Sequence, residues 1–211
     1  RSSLVALAAL SSSRYFTCAW VRAHDTAEPL LAVAGMRGIV KLVNCARQTV
    51  ERALLGHGNA INDLKPHPVD GSLLLSASKD ESVRLWNLRA GVCVAIFAGD
   101  RGHRDEVLSI DVHLSGACFV SSGMDNTVKV WSLQRETVQA AVRDSYARPT
   151  RTDERPFQTC YEQFPVFATS KVHNNYVDCV AWLGSLLCSK STAHKVALWK
   201  PDPRRRRDAV L

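Results

Sequence analysis

An all-β array of repeated four-stranded units is the fold class that this 211-residue sequence predicts, on three observations. The first is a recurring order of residues. "GHGNAINDLKPHPVDGSLLLSASKDESVRLWNL" (56–88) holds His57, Ser76, Ser78, Asp80 and Trp86. "GHRDEVLSIDVHLSGACFVSSGMDNTVKVWSL" (102–133) holds His103, Ser121, Ser122, Asp125 and Trp131 in the same order. The second is spacing: His57 to His103 is 46 positions, Trp86 to Trp131 is 45, and each Asp stands six positions before its Trp. A period in the forties marks a propeller or solenoid array. The third is texture. Short apolar runs such as "LLLSAS" and "SVRLWNL" are broken by "KDE" or "MDN" turns. A nearby histidine, serine and aspartate also fit a hydrolase triad. A triad occurs once per active site, whereas these sets recur, so architecture is favoured over catalysis.

The units follow in order. Residues 1–14 are expected to form the outer strand of a preceding unit. "RSSLVALAALSSS" loosely resembles a signal peptide, but it begins without Met and carries one basic residue, so a strand is preferred. Residues 15–55 form a degenerate unit that keeps the apolar skeleton, with Val43 where a Trp would stand. Residues 56–101 and 102–171 are the two full units. The second of these carries an insertion, 135–171, which stretches the distance from Trp131 to Trp199 to 68 positions. Its three prolines and many charges read as a long exposed loop, and no amphipathic helix of usable length is expected anywhere. Residues 172–200 are a degenerate unit with Ala193 where an acidic residue is expected. Residues 201–211 form a basic tail containing Arg204 to Arg207. Pro66 is a local conflict, because a strand interior wants a free N–H there.

Composition narrows the class further. Hydrophobic residues at 46% suffice for a core, and no apolar run reaches membrane-spanning length. Seven cysteines, an odd number without C-x-x-C spacing, read as small buried thiols of a reducing compartment, with no zinc site and no cofactor. The net charge of +7 favours acidic partners, nucleic acid among them, although the arginine run reads first as a solvated tail.

The GH dipeptide, the S-x-D turn and the closing Trp resemble WD repeats of β-propellers. The stretches "GHGNAIN", "KDESVRLWN", "VAIFAG", "GMDNTVKVW", "NNYVDCVAWLGS" and "PLLAVAGMRGIVKLVN" resemble, more closely, the Esc/EED-type WD-repeat subunit of Polycomb repressive complex 2. That resemblance runs essentially up to Trp199. It implies about four blades of a seven-bladed, non-catalytic propeller in the nucleus. It implies a chromatin scaffold and histone methyl-lysine reader that supports transcriptional repression. The partners it implies are the trimethyl-lysine histone H3 tail and a catalytic SET-domain methyltransferase subunit, with no membrane role and no established nucleic-acid contact. By the same resemblance, Phe16 is one wall of an aromatic cage that binds a quaternary ammonium by cation–π attraction. The other three aromatics fall outside residues 1–211. Asn62, Lys79, Met124, Tyr176 and Asp178 are implied to line the peptide path. His57, Ser76 or Ser78, Asp80 and Trp86, and His103, Ser121, Asp125 and Trp131, are implied to be buried relays. The alternatives are a general interaction propeller such as a ubiquitin ligase substrate receptor, a nucleic-acid binder using the basic tail, and, weakest, an enzyme.

Overall fold

A computed structural model describes residues 13–22, 28–147 and 156–202. Residues 1–12 of the expected outer strand and the arginines of the tail lie outside the described residues. Four antiparallel sheets follow one another along the chain. The first is formed by β1 (Tyr15–Arg22), β2 (Pro29–Gly35), β3 (Val40–Asn44) and β4 (Thr49–Leu54). The second is formed by β5 (Ile61–Pro66), β6 (Leu73–Ser78), β7 (Val83–Asn87) and β8 (Val92–Phe97). The third begins with β9 (Val107–Val112), β10 (Cys118–Gly123) and β11 (Val128–Ser132). A helix and two short strands come next: α1 (Glu136–Ala147), β12 (Cys160–Glu162) and β13 (Phe167–Thr169). The fourth sheet is β14 (Val177–Leu183), β15 (Leu186–Ser191) and β16 (Lys195–Trp199). Pro66 is accommodated because it is the last residue of β5 and exposed, where the missing N–H costs little.

The sheets are blades, and the inner strands β1, β5, β9 and β14 lie side by side. Polar side chains stitch them. Asp63 of β5 accepts from the Ile110 N–H at 3.0 Å, and Asp111 of β9 accepts from the Trp182 N–H at 2.7 Å. The apolar core is correspondingly split into three clusters between successive blades. Leu42, Ile61 and Trp86 meet between the first and second, and Val120, Val177 and Leu187 between the third and fourth. The largest cluster joins the second and third blades, where Phe97 packs edge-on against Phe119 at 4.8 Å and against Trp131 at 5.6 Å. Phe16 and Trp20 on β1, and Val196 and Leu198 on β16, stay exposed, so both ends of the arc present uncovered blade faces.

One turn geometry recurs in every blade. Gly38, Glu81, Asn126 and His194 occupy the same place between the second and third strands, all with φ between 57° and 67°. Only the first is a glycine. The left-handed conformation costs roughly 1–2 kcal/mol for other residues, so the surrounding hydrogen bonds must hold the turn.

The segment 135–171 corrects the reading as a helix-free exposed loop. α1 buries Val138, Ala141 and Ser145 against the second blade. Asn87 donates to the Ser145 hydroxyl at 2.8 Å, and Tyr146 donates to Asp70 at 2.8 Å. β12 then pairs in parallel with β8, adding a fifth strand to the second blade. β13 returns to pair with β11 as the fourth strand of the third blade. The insertion therefore straps two blades together.

The cysteines also differ from expectation. All seven are free thiols, but none is fully buried, and Cys18 and Cys179 are exposed on the uncovered inner strands. Among the described residues, no three His, Cys, Asp or Glu side chains gather as a metal site requires.

Candidate functional site

The most strongly organised polar groups are the repeated His–Ser–Asp–Trp sets. In the second blade, Trp86 Nε1 donates to Ser76 Oγ at 2.8 Å. Ser76 Oγ meets His57 Nε2 at 2.7 Å, and His57 Nδ1 meets Asp80 Oδ2 at 2.8 Å. The third blade repeats this with Trp131 to Ser121 at 2.9 Å, Ser121 to His103 at 2.8 Å, and His103 to Asp125 at 2.9 Å. An ionised carboxylate only accepts, so the histidine donates Nδ1–H to it, Nε2 accepts the hydrogen bond of the serine hydroxyl, and the serine oxygen accepts from the indole N–H. That direction needs a neutral imidazole. Burial supplies it, lowering His57 and His103 below the ordinary histidine value although the aspartates pull the other way.

Burial also pushes the two carboxyls up, but their hydrogen bonds prevail. Asp80 accepts from His57, Ser82 and the Gly58 N–H; Asp125 accepts from His103 and Thr127. Both are held well below the usual carboxylate range. Ser76 and Ser121 are 0% exposed, so a triad-like connectivity meets no substrate. Ser76, not Ser78, links histidine to tryptophan; Ser78 instead donates to the Ala60 carbonyl at 2.8 Å and accepts from the Asp80 N–H at 3.1 Å. Ser122 occupies the place of Ala77 and takes no part.

Sequence reasoning missed two features. Ser82 and Thr127, two residues after each Asp, close the turn by donating to it at 2.6 and 2.8 Å. A third relay also exists: Trp199 donates to Ser189 at 2.9 Å, and Ser189 meets His173 Nε2 at 2.7 Å. There Ala193 stands where the Asp would be, and His173 Nδ1 is buried without a partner. The tryptophan 68 positions on was the signal, obscured by the insertion.

The residues implied to line a peptide path lie at one end of the blades, spread along the arc. One backbone bond brings them there in each blade: Met36 N–H to Arg14 O, Lys79 N–H to Ala60 O, Met124 N–H to Glu106 O, and Thr192 N–H to Tyr176 O. The start of each inner strand thus sits beside the turn that ends its second strand. Asn62 at that end donates to the Val107 carbonyl of the next blade at 2.9 Å. Lys79 pairs with Glu106 at 3.0 Å, Asp178 pairs with Lys190 at 2.6 Å, and Tyr176 is 43% exposed. Phe16 lies at the same end, 48% exposed, with its ring free of aromatic contacts among the described residues. Tyr15 is turned towards Lys41, which donates to its hydroxyl at 3.2 Å.

Four successive β-sheet blades, two of them with a complete buried His–Ser–Asp–Trp relay, define a WD-repeat β-propeller chain, and the WD domain, G-beta repeat family model matches residues 48–87 and 91–132. The particular kin are Polycomb proteins. The chain is 46% identical over 191 residues to Polycomb group protein FIE2 of Zea mays, covering 90% of this chain and 49% of that protein. It is 45% identical over 187 residues to Polycomb protein esc of Drosophila virilis, covering 89% of this chain and 44% of that one. Among solved structures, a chain of the Chaetomium thermophilum polycomb repressive complex 2 superposes with a TM-score of 0.74 at 31% identity, over 88% of this chain and 36% of that one. A chain in the structure of ctPRC2 in complex with H3K27me3 and H3K27M superposes at 0.76 and 31% identity, over 90% of this chain and 37% of that one. The sequence is thus of the Esc/FIE type, and it spans about half the length of the curated relatives it matches.

Proposed function

We propose that this chain is part of a non-catalytic scaffold and histone methyl-lysine reader in a Polycomb-type complex, acting in the nucleus beside a separate SET-domain methyltransferase. The observation that carries the reading is likeness across nine-tenths of the chain to Polycomb WD-repeat proteins and to a chain from a complex solved with H3K27me3. The geometry is compatible with it. Phe16 offers a free π face at the end of the blades where Asn62, Lys79, Met124, Tyr176 and Asp178 also lie. A trimethylammonium gains about 0.5–2 kcal/mol from each aromatic face, depending on desolvation, so a cage needs several. One face does not offset the ordering of a free histone tail. Residues 1–211 alone are therefore expected to bind trimethyl-lysine negligibly.

The test is a titration of trimethylated and unmodified H3-tail peptides against the intact protein, its Phe16→Ala variant and the 211-residue chain. Methyl-selective binding by the intact protein, weakened in Phe16→Ala, is the expected result. Undiminished binding by Phe16→Ala would remove Phe16 as a cage wall. Absence of methyl selectivity in the intact protein would remove the reader function.

A further inference from the structure

Beside the third blade's relay, and lined in part by its Asp125 and Thr127, lies a cleft of about 760 Å³. The loop from β8 to β9 forms one side and brings Arg101 and Arg104. The segment entering β13 forms the other and brings Phe164 and Phe167. Lys129 of β11 lines the cleft between them.

Lys129 is the feature that calls for a ligand. It is only 7% exposed, and burial lowers the pKa of its ammonium. Burying a charge is costly unless a counter-charge meets it. Among the described residues Lys129 forms no ion pair. The carboxylate that acts on it, Asp125, is already occupied by His103, Thr127 and the Arg104 N–H. The counterpart in the second blade, Arg84, does reach its own aspartate, Asp80, at 3.9 Å. The unmet charge therefore belongs to the third blade.

Charge and shape narrow the ligand. Asp100 is shared between Arg101 at 3.5 Å and Arg104 at 3.7 Å. Three cations set against Asp100 and Asp125 leave one positive charge, since His103 is neutral. One carboxylate balances it, whereas a phosphate dianion overshoots. The phosphates of a rigid duplex do not enter a cleft to reach so buried a side chain. The phenylalanine wall, with Phe164 54% exposed, offers an apolar contact beside the charge.

We propose that this cleft docks an acidic peptide segment, whose glutamate or aspartate carboxylate pairs with Lys129 while a neighbouring apolar side chain packs on Phe164 and Phe167. The inference stands on the third blade alone and is independent of methyl-lysine reading.

The probe is a fluorescein-labelled peptide with a central Leu-Glu-Phe in Gly/Ser flanks, followed by anisotropy against the intact protein. Two companions replace Glu by Gln or by phosphoserine. Saturable binding of the Glu peptide is expected, at least about tenfold tighter than the Gln peptide, since a charge-assisted hydrogen bond is lost. Lys129→Met should lose binding to the same extent, and Lys129→Arg should keep it within a few-fold. The Glu-against-Gln comparison uses only the unmutated protein, so it decides the matter even where Lys129→Met does not fold. Equal affinity for Glu and Gln peptides, no saturation by millimolar peptide, or full binding by a folded Lys129→Met would overturn the proposal. A phosphoserine peptide binding tenfold tighter than Glu would overturn it in favour of phosphopeptide recognition.

Discussion

The third and fourth blades differ by one side chain at the acidic end of their relays, and the difference separates what the aspartate does from what it does not. In the third blade Asp125 receives His103, Thr127 and a backbone N–H. In the fourth, Ala193 offers no carboxylate, yet His173, Ser189 and Trp199 keep their bonds at 2.7 and 2.9 Å. The turn keeps its shape too. Ala193 N–H bonds Ser191 Oγ at 3.1 Å, as Asp80 N–H bonds Ser78 Oγ at 3.1 Å, and His194 has the left-handed φ of Asn126. The aspartate is therefore not needed to shape the strand pair. It satisfies the second histidine nitrogen and ties the loop before the blade to the turn inside it. Where it is missing, a buried nitrogen is left unpaired.

Removing the aspartate where it is present is the strongest way to break the contrast. Asp80→Ala and Asp125→Ala should each cost about 1–3 kcal/mol, because each strands a buried imidazole N–H and several donors. Urea denaturation midpoints of the intact protein check this, and an unchanged midpoint in both would refute the relay's structural role.

Acid should come next in size. His57 and His103 have folded pKa values below their unfolded ones, so the unfolded chain binds protons first. Stability then falls as pH drops below the ordinary histidine value near 6.5, by up to about 1.4 kcal/mol per pH unit for each histidine. Asp80 and Asp125 are shifted downward, so their contribution is complete above the ordinary carboxylate value and is lost below it, as pH falls towards their folded values. Thermal midpoints from pH 7.5 to 4.5 should decline, and a flat profile down to pH 5 would contradict neutral buried histidines.

The smallest effect sharpens the comparison from the other side. Ala193→Asp places a carboxylate in a turn already shaped for it and gives His173 Nδ1 a partner. A gain of about 0.5–1.5 kcal/mol is expected, the net value of one satisfied hydrogen bond. A calorimetric scan of that variant beside the unmutated protein reads it, and a loss of stability would show that the missing carboxylate is not what this site lacks.

Much of the blade plan was legible because it repeats. Two copies at a spacing of 45 or 46 define the period, and period-2 strands between turn residues mark the blade. The helix was harder. Val138, Ala141, Val142 and Ser145 stand at helical spacing, but an alanine and a serine hold two of the four places, and charged neighbours with distant prolines suggested a loop. The strap itself was not readable, since a parallel partner for β8 some 65 residues on leaves no local trace. The linking serine could not be chosen from order alone. Ser76 and Ser78 share a strand face at period 2, and only the register with Trp86 separates them. The burial of Lys129 is not readable in the sequence, because nothing there shows the wall built by Phe164 and Phe167.

The four relay side chains in each complete blade act as one connected unit. The most direct test is a double-mutant cycle between its ends, Asp125→Ala and Trp131→Phe, measured by urea denaturation of the intact protein. Asp125 and Trp131 are linked only through His103 and Ser121. A coupling energy above about 0.5 kcal/mol is expected, since shared networks fail additivity by that much or more. Losses that simply add would contradict the relay and leave four independent buried side chains.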